Sequence, residues 1–116
     1  MHNFKELRIW KDSMALTKDV YELTRTFPTD ERYSLTQQIN RSAVSVPSNI
    51  AEGAGRHTKP DFSHFISIAL GSSFELETQL ILSGDLKYAS EKELKPLLER
   101  LTSLQKMITK FKDTLS

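Results

Sequence analysis

Apolar residues recur along the chain at helical spacing, and strand-like alternation is scarce. The last segment is the plainest. Leu94, Leu97, Leu101, Leu104, Ile108, Phe111 and Leu115 step by alternating threes and fours, a heptad seam. Ser90 and Glu93 stand at the spacing of a capping box, so a helix is predicted over 90–114. A third helix should begin at Thr58, with Pro60 and Asp61 in its first turn and Gly84 as its end signal. Its stripe is Phe62, Ile66, Ala69, Ser73, Leu76 and Leu80. The first helix carries two tracks: Trp10, Met14, Thr17 and Tyr21, and beside them Leu16, Val20, Leu23 and Phe27. "FPTDE" ends it and starts the second helix, with Thr29 or Asp30 as cap. Short linkers favour antiparallel neighbours, so the expected fold is all-α, an antiparallel up-down four-helix bundle in one domain over 1–116.

The second helix has to account for "INRSAVSVPSNIAEGAGR", Ile39 to Arg56. Leu35, Ile39, Ala43, Val46, Ile50 and Ala54 fall in an arc of roughly 100°, the width of a core-facing stripe. The stretch therefore reads as a helix, with Gly53 and Gly55 expected as a left-handed cap. A G-x-G with no strand before it is not a nucleotide fingerprint. Pro47 removes the backbone bond to the Ala43 carbonyl and should bend the helix, leaving that oxygen to a nearby serine or to water.

A polar row lies beside the apolar stripe: Ser42, Ser45, Asn49, Glu52 and Arg56, overlapped by Arg41 and Ser48. Ser72, Glu75 and Gln79 form a matching row on the third helix. Two readings stand. One is a partly buried polar seam, or an interface, through Arg41, Ser45, Asn49, Glu52, Arg56, Ser72 and Glu75, fixing register between helices or subunits. The other is a ligand or nucleic-acid site built on the same residues.

Composition narrows the chemistry. The chain has 116 residues, enough for one core, and a net charge of +1, so bulk charge argues for no partner class. It has no cysteine, hence no disulfide, thiolate metal site or cysteine nucleophile. "MHNFKELRIWKDS" lacks the apolar core of a signal peptide, and no apolar run approaches the roughly 18–20 residues of a membrane span. A cytoplasmic protein without a membrane partner is expected. His57, Asp61 and His64 are spaced for a metal on one helix, but Thr58 and Pro60 place His57 before the helix, so no metal and no cofactor are expected. There is no G-x-S-x-G elbow. Glu52 and Glu75 each have an arginine candidate in Arg41 or Arg56, which reads as structural pairing rather than catalysis.

Charge is unevenly spread. Residues 57–85 hold one base and four acids, and residues 86–116 hold seven bases and four acids. Arg100, Lys106, Lys110 and Lys112 are the candidate nucleic-acid contacts, acting on phosphates; the alternative is an ordinary solvated face. With no aromatic-interleaved basic stretch, readout of base sequence is not indicated.

Trp10, Phe27-Pro28, Glu31, Leu35, Gln38, Arg41-Ser42, Ser48 through Gly53, Gly55-Arg56, and Ile68 through Ser72 with Glu75 form a joint pattern over nearly the whole chain. It resembles the bacterial four-helix bundle proteins encoded in intervening sequences of 23S ribosomal RNA genes, to which accessory proteins of diversity-generating retroelements are similar. The resemblance implies a homopentamer, shaped as a cone or barrel, with no known enzymatic activity. It also implies a role in binding RNA or DNA, or a reverse transcriptase or other nucleic-acid enzyme. The expected function is thus a non-enzymatic homo-oligomeric scaffold that binds nucleic-acid backbone or such a partner; the alternative is a purely structural or protein-interaction assembly.

Overall fold

A computed structural model describes residues 3–32 and 34–116. Four helices run in sequence: α1 (Arg8–Thr24), α2 (Leu35–Ala54), α3 (Lys59–Asp85) and α4 (Glu91–Asp113). Short 3-10 turns precede α1 (Phe4–Glu6) and α2 (Thr29–Glu31). Each helix packs on its neighbours in the order 1-2-3-4-1. Cross-helix contacts reverse in register: Thr17 meets Ala43 while Thr24 meets Asn40, and Ser42 meets Glu75 while Gly53 meets Phe62. The fold is therefore an antiparallel up-down bundle. Its length of 43 Å is set by α3, whose 27 residues span about 40 Å.

The expected stripes are the core. All six of the named α2 and all six of the named α3 positions are buried, as are Leu94, Leu97, Leu101, Leu104 and Ile108 of α4. Of the two α1 tracks, Leu16, Val20, Leu23 and Phe27 face inward; Trp10, Met14 and Thr17 are half-buried and Tyr21 is exposed. Ser90 and Glu93 form the expected capping box, and Thr58 caps α3 by accepting from the Asp61 N–H at 3.2 Å.

Three local expectations fail. The second helix begins at Leu35 rather than near Asp30. Buried Phe27 closes the end of the bundle, and Glu31 is drawn across to Tyr88 in the α3–α4 connection, so residues 25–32 bridge that end instead of extending α2. The Glu31 carboxylate takes the capping role, accepting from the Leu35 N–H at 3.3 Å and from the Ser34 hydroxyl. Next, no described glycine has positive φ. A Cβ on Gly53 would lie 2.8 Å from the Phe65 Cβ, and one on Gly84 would lie 2.7 Å from the Leu94 Cδ1. These two glycines admit a neighbouring helix rather than cap their own. The left-handed residue after α3 is Lys87, at φ 66. The Lys87 N–H donates to the Gly84 carbonyl at 3.0 Å and the Tyr88 N–H to the Ser83 carbonyl at 2.9 Å, a Schellman closure. Lastly, the side chain that meets the Ala43 carbonyl freed by Pro47 is not a serine of its own helix. The Thr17 hydroxyl of α1 reaches it at 3.0 Å, while also lying 2.7 Å from the Ser13 carbonyl.

Thr17→Val should therefore cost about 1–2 kcal/mol in urea denaturation, because it orphans the Ala43 carbonyl. In a Pro47→Ala background the restored N–H at position 47 satisfies that oxygen, and the same change should cost under about 0.5 kcal/mol. Equal costs in both backgrounds would disprove the assignment.

The tie between the loops gives a pH dependence. The Ser34 hydroxyl, then the Tyr88 hydroxyl and the Leu35 N–H, hold the Glu31 carboxyl below its ordinary value. The hydrogen bond to Glu31, followed by desolvation, pushes the Tyr88 phenol above its own. Glu31 thus contributes stability that is full above the ordinary carboxyl value, about 4.3, and is lost as pH falls through its depressed folded value. Tyr88 contributes stability that is full below about 10 and is lost as pH rises through its raised folded value. Glu31→Gln should flatten both limbs of a stability–pH profile; unchanged limbs would show that the tie is energetically idle.

Candidate functional site

The α2–α3 face carries the polar row, and the two backbones come close because small residues line the seam. The Ser45 and Ser72 hydroxyls meet at 2.8 Å. Asn49 turns back along its own helix, its Nδ2 donating to the Ser45 carbonyl at 2.8 Å and to the Ser45 Oγ at 3.0 Å. Ser42, only 2 % exposed, faces three acceptors: the Gln38 carbonyl at 3.0 Å, Glu75 Oε1 at 2.7 Å and Gln79 Oε1 at 2.8 Å. A hydroxyl has one proton. Turning the Gln79 amide over makes its Nε2 the donor to Ser42, whose own proton is then free for Glu75. An open cleft of about 360 Å³ sits above this cluster, lined by Gln38, Arg41, Ser42, Ser45, Glu75 and Gln79.

The row grades from buried to solvated. Arg41, Glu52, Arg56 and Glu75 are exposed, so within one chain the expected partly buried seam is confined to part of the row. Ser42, Ser45, Asn49, Ser72 and Gln79 are the buried and half-buried members of the two rows. Glu52 pairs with Arg56 at 2.8 Å, and the Arg56 guanidinium lies over the Phe65 ring at 4.5 Å. Glu75 pairs with Ser42 rather than with an arginine, and Arg41 has no hydrogen-bond or ion-pair partner among the described residues.

The basic candidates on α4 do not form one surface. The Arg100 Nη1 lies 2.5 Å from the Asp19 Oδ2 of α1, an ion pair that pins α4 to α1. Lys112 is half-buried, since its position falls on the same side of the helix as Leu101. Lys106 and Lys110 are exposed and form no ion pair among the described residues. They continue an outward stripe with Lys92 and Lys95, which the sequence reading missed; the four positions fall within an arc of roughly 60°, interrupted by Glu99. The same three- and four-residue spacing, followed back from Lys106, would have found them.

Unlike its neighbours, α3 is apolar nearly all round. Its inner face is core, yet Phe74 (51 % exposed), Ile68, Ile81 and Leu82 face outward. Gly71 lies in the middle of this outer face, and a Cβ there would meet nothing within 4 Å. By length and composition alone α3 could cross a membrane, with a mean hydropathy of 1.2 over its best window, of which 28 % is buried. Its apolar run is broken by serines, Gly71, Glu75, Glu77 and Gln79. Among the described residues no group of three or more His, Asp or Glu side chains could hold a metal ion.

A family model described as 23S rRNA-intervening sequence protein matches residues 5–110. A crystal structure of a protein of unknown function from the S23 ribosomal protein family of Bacteroides thetaiotaomicron superposes with a TM-score of 0.82. It is 21 % identical, and the alignment covers 89 % of this chain and 96 % of that one, a likeness that speaks to the fold. No curated protein matches.

The graded row separates two substitutions. Ser42→Val should cost about 2 kcal/mol, since it adds bulk at a buried position and removes the hydroxyl from Glu75 and Gln79. Glu52→Ala should stay within about 0.5 kcal/mol, because an exposed pair one turn apart contributes little. Chemical denaturation checks both, and the reverse order would mean that the tightly packed end of the row is misplaced.

Proposed function

Because the chain belongs to the 23S rRNA-intervening sequence protein family, we propose that it is a non-enzymatic scaffold that assembles through α3 and offers repeated lysine stripes to nucleic-acid backbone. The observation that carries this reading is the outer face of α3. An exposed glycine in a helix interior costs about 0.5–1 kcal/mol relative to alanine, and nothing in this chain uses the space at Gly71. Close approach of another backbone uses it. Ile68, Phe74 and Leu82 around it supply apolar area of the kind that interfaces cover. Glu75 and Thr78 on the same side suit a protein neighbour better than lipid. The family resemblance makes a homopentamer the expected ring.

Assembly multiplies the α4 stripe. Lys92, Lys95, Lys106 and Lys110 are solvated point charges, suited to phosphates and not to reading bases. A second reading, assembly with protein partners alone, is favoured by the Arg100–Asp19 pair and by the placement of Lys112, which thin the basic surface.

Light scattering at micromolar concentration should give a multiple of 13.3 kDa. Gly71→Leu should shift that mass toward the monomer without loss of helix content. Binding to structured RNA and duplex DNA should fall steeply with salt, and Lys106→Glu with Lys110→Glu should abolish it. A wild-type monomer would sink the scaffold. An oligomer that binds neither nucleic acid at low salt would leave the protein-partner reading.

A further inference from the structure

At the end of the bundle away from the C-terminus of α4, a second cleft of about 280 Å³ opens between the end of α1 and the start of α2. Its lining includes two cations, Arg25 and Arg32, and no carboxylate. The Thr36 hydroxyl oxygen in its wall is shielded from water and has no hydrogen-bond partner. The Thr24 hydroxyl lies 3.0 Å from the Asn40 Oδ1 and 3.2 Å from the Tyr21 carbonyl, and in either orientation of the Asn40 amide at least one Nδ2 hydrogen has no acceptor among the described residues. Arg32 is exposed and forms no ion pair among the described residues. Arg25 meets Glu22 at 3.0 Å, but both are largely solvated, and such a pair is readily exchanged. The nearest acids in sequence do not neutralise the cleft: Glu31 is engaged by Ser34, Leu35 and Tyr88, and Asp30 is not part of the lining.

We propose that this cleft binds the phosphate group of a small organic phosphate. Unspent donors converge on it from two helices and their connection, and the lining offers them no acidic side chain. Two guanidinium groups and an amide border the cleft, and the unpartnered Thr36 hydroxyl stands in the wall behind them. Three terminal phosphate oxygens answer such a set more fully than the two of a carboxylate. The remaining wall is apolar, formed by Tyr21, Phe27 and Pro28, and takes the organic part of the ligand. The site is distinct from Lys106 and Lys110, which lie toward the opposite end of the bundle.

Isothermal titration of the full chain with adenosine 5′-monophosphate, inorganic phosphate, adenosine and acetate tests the proposal. The nucleotide should bind more tightly than inorganic phosphate, while adenosine and acetate should show no heat. Asn40→Asp keeps the acceptor for Thr24 but sets a negative charge in the cleft, and should weaken nucleotide binding at least about tenfold. Arg32→Gln, at an exposed position that does not threaten folding, should weaken it by a similar factor. Lys106→Glu with Lys110→Glu should leave it unchanged, so failure here and failure of the scaffold reading are distinguishable. The proposal is overturned if neither phosphate compound binds at millimolar concentration. It is equally overturned if adenosine binds as well as its phosphate, or if Arg32→Gln has no effect.

Discussion

The close approach of α2 and α3 is the constraint on which the rest of the molecule depends. At Gly53 the Phe62 and Phe65 side chains occupy the space a Cβ would need, and along the seam serine faces serine at Ser45 and Ser72. Small residues allow the approach, and the approach excludes water, so every polar group it covers needs a partner. That is why Ser42, Glu75 and Gln79 converge, and why Asn49 folds back on Ser45. Pro47 adds its own demand within the same helix. Since its missing N–H frees a carbonyl on the side facing α1, Thr17 fixes α1 against α2 at the same level.

Locking α3 by one side leaves its other side as the largest unexplained surface. Apolar side chains on the outer side of a helix are of the kind that interfaces cover. The bundle covers one face of α3, with Phe62, Ile66, Ala69, Leu76 and Leu80. The glycine and aliphatic residues on the other face are compatible with a second backbone, which is why the proposed assembly runs through α3. On that account the polar cleft around Arg41 and Glu75 lies beside the assembly face, where their charges are available to a neighbour.

The two ends of the bundle differ chemically. The end holding the α1–α2 and α3–α4 connections is closed by Phe27 against Tyr88, whose ring centres are 5.8 Å apart, and by the Glu31–Tyr88 hydrogen bond at 2.8 Å. That closure commits Glu31 and leaves Arg32 without an ion pair among the described residues. The other end carries the last turn of α4, with Lys110 outward and Phe111 against Phe62 at 5.4 Å. Anion recognition and bundle closure are thus consequences of where a single acid, Glu31, spends its oxygens.

The sequence by itself determined the helices, their inward faces and the bundle. Periodicity of three and four is a local property, and burial of one apolar stripe per helix follows from it with little dependence on partners. Caps at Thr58 and Ser90 were legible for the same reason, since both ends of each hydrogen bond lie within one turn. What the tertiary structure decided were pairings across the chain: Thr17 with Ala43, Glu31 with Tyr88, Arg100 with Asp19, Ser42 with Glu75. Spacing could place Arg100 on the surface but not reveal the aspartate opposite it on another helix. Nor could it separate a glycine that caps a turn from one that admits a neighbour, as Gly53 and Gly84 do. A helical wheel gives the direction of a side chain; only the packed bundle fixes what stands there to meet it.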